Sequence, residues 1–183
     1  MSMEKTITLH DKRFKPFISY EKISEAIDSL ADKINADFAS DPEPPVLLCV
    51  LNGSIMFTSE LMKRLDFDAE LVSMKLSSYQ GTTSTGEVRE VMSLTGNVSG
   101  RKVIIVEDIV DTGTTMVSLV KTLKDKGAKD IKICTMLLKP EVYKKDLKLD
   151  YVGMEIPNRF IVGFGLDYDE LGRNYRDIYV LDK

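Results

Sequence analysis

Histidine is almost missing from this chain, which holds a single one, His10, in a polar N-terminal stretch. That excludes a histidine-based catalytic triad and a histidine zinc cluster. Cysteine is nearly as scarce. Cys49 and Cys134 each fall inside an apolar run and not in paired metal-ligand spacing, so two buried thiols in core strands are expected rather than a disulfide or a metal site. Long apolar runs are lacking too. The longest match a buried strand, and Met1 to Lys12 has no signal-peptide core, so neither a spanning helix nor a secretory leader is expected. A reducing, cytoplasmic location is the resulting default. Nor is there an excess of positive charge: 25 Lys and Arg stand against 29 Asp and Glu, a net −4. No sequence-independent affinity for nucleic acid or an acidic membrane follows from that balance. Lys144, Lys145 and Lys148 cluster, but they read as a solvated face.

What is present is an ordinary globular mixture of 43% hydrophobic and 30% charged residues, with both signs interspersed, which argues against disorder. A length of 183 residues suits one domain, or one with a small appendage. Ser19 can cap a helix in which Ile23, Ile27, Leu30, Ile34 and Phe38 recur at helical spacing, and the stretch Ser40 to Pro45, with prolines at 42, 44 and 45, ends it. Val46 to Leu51 reads as a strand covered on both faces, followed by a turn at Asn52, Gly53 and Ser54. Phe57, Leu61 and Leu65 mark a second helix. Val72, Met74 and Leu76 alternate as in a half-exposed strand, and Ser78 to Arg89 is expected to be a polar loop. Val103 to Val106 reads as a buried strand. Thr115 to Lys126 reads as a helix with Val117, Val120 and Leu123 inward, closed by Gly127. Ile131 to Leu138 is another strand. Tyr151 to Ile156, Phe160 to Gly165 and Ile178 to Leu181 are three short strand-like pieces. Strands alternating with helices predict an α/β fold, a doubly wound parallel sheet.

In such a sheet, ligands bind beyond the carboxyl ends of the strands. The strand Val103 to Val106 runs into Glu107, Asp108 and Asp111, and then into the small-residue turn Thr112, Gly113, Thr114, Thr115 before a helix. That turn can aim backbone N–H groups and hydroxyls at one anion, and the helix dipole adds favourable potential. Glu107 and Asp108 suit sugar hydroxyls and Mg²⁺, a hard cation that takes oxygen ligands. Leu51, Asn52 and Gly53 end another strand; Gly53 fits either a plain turn or a close backbone approach to a ligand. Two other glycine patterns carry no ligand. Gly81 to Gly86 has P-loop spacing, but Glu87 and Val88 occupy the Lys and Ser/Thr positions, and an acid there would repel a triphosphate. Gly163 and Gly165 lack a third glycine and a following helix.

The run Val103 to Thr115 resembles the phosphoribosyl pyrophosphate signature of the type I phosphoribosyltransferases, and the resemblance spans Phe17 to Leu181, closest to the hypoxanthine-guanine branch. It implies a core over about residues 17–140, and a small hood mainly from 141–183 with the N-terminal segment. It also implies that Glu107 and Asp108 hold ribose hydroxyls, that 111–115 binds the 5′-phosphate, and that Asp111 is the general base. Leu51, Asn52 and Gly53 resemble the pyrophosphate loop, often built around a cis non-proline peptide. Many members carry lysine at the Asn52 position, so backbone contacts are the ones expected there. Ser78 and Tyr79 match a catalytic lid, whose closure would exclude water from a cationic sugar. Taken alone, that loop fits a flexible polar hairpin equally.

Lys139, at the end of a strand, matches the lysine that donates to a purine 6-oxo group. An ammonium has donors only, so it suits a carbonyl and meets the adenine amino group donor to donor. Phe160 matches the ring that stacks on the base, although a core phenylalanine fits its run as well. Ile161 and Asp167 lie around the purine, with Asp167 also reaching a second Mg²⁺. Arg173 matches the arginine that grips pyrophosphate with its planar fork. The resemblance thus predicts transfer of phosphoribosyl to hypoxanthine or guanine with Mg²⁺, by a homodimer or homotetramer, while the charge balance and short apolar runs predict no nucleic-acid and no membrane partner. Three acids within five residues also predict a raised pKa on one of them. Two alternatives remain at this point: a preference for xanthine, and a regulator on the same scaffold that senses phosphoribosyl pyrophosphate or nucleotides.

Overall fold

The computed structural model of the chain describes residues 5–78 and 88–182, with only the backbone described at 77, 78 and 88–91. Tyr79, most of the expected lid and the rejected glycine pattern at 81–86 lie outside the described residues. In chain order the elements are β1 (Ile7–Leu9), β2 (Lys12–Ile18), α1 (Tyr20–Phe38), β3 (Val46–Leu51), α2 (Ile55–Met62), β4 (Glu70–Ser78) and β5 (Val88–Met92). They continue with β6 (Lys102–Val110), α3 (Thr114–Asp125), β7 (Asp130–Leu138), β8 (Tyr151–Glu155), β9 (Ile161–Val162) and β10 (Ile178–Leu181).

Six strands form one sheet in the order β5-β4-β3-β6-β7-β8. All neighbours are parallel except β5, which pairs antiparallel with β4 at the edge. Side chains alternate across a strand, and both sheet faces are covered. Leu47, Ile104 and Val106 pack with Ile23, Ile27, Phe57 and Leu61 of α1 and α2. Val46, Leu48, Val103 and Ile105 pack with Met116, Leu119 and Leu123 of α3. The sheet is therefore doubly wound, as the near-continuous apolar strands imply. Both cysteines are buried free thiols in its central strands.

A second sheet, β1-β2-β10-β9, is antiparallel and joins the first residues of the chain to its last. Its core of Leu9, Phe14, Val162 and Tyr179 is separate from the two clusters flanking the main sheet. β8, one of the three short C-terminal pieces, does not belong to it; it pairs with β7 as the edge of the main sheet.

Several local expectations change. β6 does not stop at Val106 but runs on through Glu107 and Asp108, because β7 pairs with it as far as Val110↔Leu138. The polar loop ends before Arg89, where β5 already pairs with β4. Val117 is 43% exposed and not inward, because the buried stripe of α3 is Met116, Leu119, Val120 and Leu123, an i, i+3, i+4, i+7 set. Ser19 occupies the N-cap of α1, but its side chain makes no cap hydrogen bond. Instead the N–H of Tyr20 donates to Asp177 Oδ1 at 2.7 Å, from the segment that leads into β10. At the end of α3, Gly127 has φ +84°, and the N–H groups of Gly127 and Ala128 donate to the carbonyls of Lys124 and Leu123. This is the glycine cap the sequence predicts.

Candidate active site

Three parallel strands end at the same side of the main sheet and carry the acids, the turn and the lysine expected there. At the end of β3 the Leu51–Asn52 peptide is cis. Gly53 follows, and a Cβ on it would lie 1.7 Å from Asp108 Oδ2, so any side chain there would have to displace the carboxylate. At the end of β6 the turn Asp111 to Gly113 leads into α3. Gly113 has φ +78° at the N-cap, where no L side chain sits without strain. Thr112 Oγ1 and Thr114 Oγ1 stand 3.2 Å apart across this turn, side by side with the first N–H groups of the helix. Such a helix start has orphan backbone donors and favours an anion.

The end of β7 supplies Lys139. Register sets it beside Asp111, since Val110 and Leu138 are partners and the N–H of Lys139 donates to the carbonyl of Val110 at 3.0 Å. Lys139 Nζ meets Asp111 Oδ1 at 2.9 Å; the lysine is buried and the aspartate half-exposed.

The hood approaches from above. A Cβ on Gly165, at φ +98°, would lie 2.0 Å from the carbonyl oxygen of Gly53, so the hood backbone rests directly on the β3 turn. Arg173 Nη1 donates to the Gly165 carbonyl at 2.8 Å, and its Nη2 pairs with Asp167 Oδ1 at 2.8 Å. Asp167 Oδ2 accepts the N–H of Glu170. Asp169 and Glu170 themselves are exposed.

These groups enclose a cavity of about 400 Å³, lined by Leu51, Gly53, Glu107, Asp108, residues 111–115, Asp167 and Arg173, with apolar walls from Val50, Leu76, Val110 and Met116. Most of the sequence-predicted residues thus converge on one space. Phe160 and Ile161 do not line it. Phe160 is 44% exposed and borders a separate cavity of about 540 Å³ with Asn158, Arg159 and Leu181, while Ile161 is buried in β9. Lys139 reaches the cavity through Asp111. Ser78 ends β4, and only its backbone is described. In the sequence Gly165 marks the end of a strand-like piece and gives no sign of a site. Its close approach to Gly53 is a contact between residues more than a hundred positions apart, with no local signal.

Electrostatically the site is strained by its own acids. Burial pushes Glu107 well above the usual carboxylate range, and the adjacent Asp108 charge adds to the push. Burial also raises Asp108, although Glu107, the Ile109 N–H and Arg173 oppose the rise. The expected raised acid therefore falls on the two strand residues. Hydroxyl donors or a hard divalent cation would relieve both, and an all-oxygen donor set fits Mg²⁺. Asp167 can join such a cation only by sharing oxygens already engaged by Arg173 and Glu170.

Comparison with known proteins agrees with this arrangement. The phosphoribosyl transferase domain family matches residues 19–169. A hypoxanthine-guanine phosphoribosyltransferase of Streptococcus thermophilus is 42% identical over 91% of this chain and 92% of its own. One from Streptococcus agalactiae is 44% identical over 90% of this chain and 89% of its own. Among solved structures, a hypoxanthine phosphoribosyltransferase from Staphylococcus aureus superposes with a TM-score of 0.85 at 38% identity, covering 92% of this chain and 91% of that one. With a family match across most of its length and the acids, anion turn and arginine gathered at one cavity, this chain belongs to the phosphoribosyltransferases, in their hypoxanthine-guanine branch.

Proposed function

We propose that the protein transfers the 5-phosphoribosyl group of phosphoribosyl pyrophosphate to hypoxanthine or guanine, a purine-salvage reaction that gives IMP or GMP and pyrophosphate. The observation that carries this reading is the cavity itself, where the small-residue turn at the start of α3, two buried acids and an arginine lie within one enclosure. The turn 111–115 binds the 5′-phosphate through backbone N–H groups and threonine hydroxyls. Glu107 and Asp108 accept the ribose hydroxyls, whose hydrogens offset the crowding of two buried carboxylates. The backbone of Leu51, Asn52 and Gly53 and the fork of Arg173 face the pyrophosphate.

The base enters between Lys139, which donates to its 6-oxo group, and Phe160, which stacks on its face, with Ile161 and Asp167 around it. The C1–O bond to pyrophosphate breaks as the imidazole-ring nitrogen of the purine bonds C1 from the opposite face. Arg173 stabilises the charge growing on the leaving group. The nitrogen's proton passes to Asp111, whose Oδ1 is held by Lys139. Among the described residues no three acids are placed to hold a metal ion by themselves, so Glu107, Asp108 and Asp167 would hold Mg²⁺ only together with substrate oxygens; when bound, the ion supplies Lewis-acid neutralisation of the departing pyrophosphate. Ser78 and Tyr79 belong to the lid in this reading. Assembly as a homodimer or homotetramer, carried by the resemblance, and a cytoplasmic location, carried by the composition, are also part of it. Among the described residues no helix is long and apolar enough to cross a membrane.

The test is pyrophosphate release with Mg²⁺ and phosphoribosyl pyrophosphate, offering hypoxanthine, guanine, xanthine, adenine and orotate separately. Turnover with hypoxanthine or guanine and none with adenine is the expected result. Turnover with xanthine above both would move the assignment to a xanthine enzyme. Binding of phosphoribosyl pyrophosphate without turnover on any base would favour a sensing role.

A further inference from the structure

Phe160 is a large ring with 44% of its surface exposed, and an exposed ring has little of its own to fix its plane. Two other rings hold it. Phe14 of β2, fully buried, lies beneath at a centroid distance of 6.0 Å. Tyr168 meets it edge-on, at 5.7 Å and 87°, an edge-to-face pair. Phe14 and Tyr168 also touch each other, at 6.1 Å, so the three rings close a triangle.

The Tyr168 ring is itself tethered, and by the opposite end of the chain. Its hydroxyl donates to Asp11 Oδ1 at 2.8 Å and accepts from Lys12 Nζ. The Lys12 ammonium also lies 4.0 Å from the ring centroid, a cation–π contact. His10 adds an edge contact to the same ring at 5.6 Å. The tip of the β1–β2 hairpin, residues 10–12, therefore clamps Tyr168 by its hydroxyl, its face and its edge. On the other side Tyr168 follows Asp167, whose carboxylate is bound to Arg173, and its backbone is bridged to Leu171. One residue thus joins the N-terminal hairpin, the exposed ring and the turn that carries Arg173.

We propose that Tyr168 is a positioning residue for base recognition: held by Asp11 and Lys12, it fixes the plane of Phe160 against which the purine stacks. This rests on the reading of Phe160 as the stacking ring. An aromatic face binds a flat base well only if its orientation is set beforehand, because ordering it on binding costs affinity. Tyr168 touches neither base nor sugar in this scheme. Its effect is confined to base binding and leaves phosphoribosyl pyrophosphate binding alone.

Four variants test it: Phe160→Ala, Tyr168→Ala, Tyr168→Phe and Lys12→Met, each assayed for kcat and for the KM of both substrates. Tyr168→Ala is expected to raise the KM for hypoxanthine about three- to tenfold, the range an edge-to-face ring pair contributes. The KM for phosphoribosyl pyrophosphate and kcat should stay within about twofold of wild type, a split that general loosening of the fold would not produce. Tyr168→Phe keeps the ring edge and should restore most of the base affinity. Lys12→Met should match Tyr168→Phe. If Tyr168→Ala is poorly folded, Tyr168→Leu keeps the buried bulk without a ring edge and is read the same way. A raised base KM in Phe160→Ala with an unchanged one in Tyr168→Ala or Tyr168→Leu would overturn the positioning role and leave the stacking role standing. An unchanged base KM in Phe160→Ala would overturn both.

Discussion

Lys139 and Asp111 meet at the ends of two paired strands, Nζ to Oδ1 at 2.9 Å, so the group proposed to read the base holds the group proposed to take its proton. The contact follows from register alone, since each residue is the first beyond the partnered Val110 and Leu138. A buried ammonium needs such a carboxylate, and the half-exposed carboxylate gains a fixed orientation from it.

Lys139→Gln should therefore alter selectivity more than it alters folding. Glutamine carries both a donor and an acceptor and so tolerates an amino group where the ammonium does not. With hypoxanthine, kcat/KM should fall about 10- to 100-fold, the scale of a hydrogen bond to a charged group. The ratio of adenine to hypoxanthine activity should rise in parallel. Steady-state assays with both bases check this, and an unchanged ratio would remove Lys139 from base recognition.

Asp111→Asn keeps the shape of the side chain and an oxygen for Lys139 to bind, but it cannot take a proton. Turnover should drop about 100-fold or more, as expected for loss of a general base. Binding of phosphoribosyl pyrophosphate, measured by calorimetry, should change by less than about threefold, because the anion turn 111–115 is kept. Equal losses in turnover and binding would assign Asp111 to binding and not to proton transfer.

At Gly53, a methyl group has no space, since its Cβ would fall 1.7 Å from Asp108 Oδ2. Gly53→Ala must push the Asp108 carboxylate or the β3 turn aside. Displacement of that size should raise the KM for phosphoribosyl pyrophosphate at least about tenfold and lower kcat as well. The melting temperature should move little by comparison, because Asp108 faces a cavity. A variant with normal kinetics would show that the turn yields freely.

Burial raises Glu107 and Asp108 above their ordinary values, so the folded protein binds protons there more tightly than the unfolded chain does. The sign follows from linkage: this contribution to stability is complete below the ordinary carboxylate range and is lost as pH rises through the raised values. Glu107→Gln removes the buried charge, so the substrate-free variant should melt higher than wild type at pH 7.5, with a smaller advantage at pH 5. Each kcal/mol gained is about 2–4 °C in a domain of this size. The same change should cut kcat/KM for phosphoribosyl pyrophosphate about 10- to 100-fold, because the neutral amide is a weaker acceptor for ribose hydroxyls. Thermal unfolding at the two pH values checks the first claim. An advantage equal at both would mean that the carboxylate is not held above its usual range.

The sequence by itself determined the elements whose apolar residues recur at a single period. Ile23, Ile27, Leu30, Ile34 and Phe38 are all buried along α1, and Val46 to Val50 are buried throughout β3. It also determined the turn into α3, because Asp111, Thr112, Gly113 and Thr114 are contiguous, and a turn into a helix is a local event. What it could not decide were matters of pairing between distant segments. The length of β6 depends on β7, so Glu107 and Asp108 are strand residues only because a partner strand runs beside them. The outward position of Val117 depends on which face of α3 the sheet covers. β1 and β2 come from a polar start whose apolar residues gain burial only against β9 and β10. The closing of the site, with Gly165 on Gly53 and Arg173 on Asp167, and the contact of Tyr168 with Phe160 beside it in the hood join residues whose neighbours in sequence carry no trace of the contact. Local propensity and period are properties of a segment, whereas burial and pairing are properties of the whole chain, and only the tertiary structure supplies the second set.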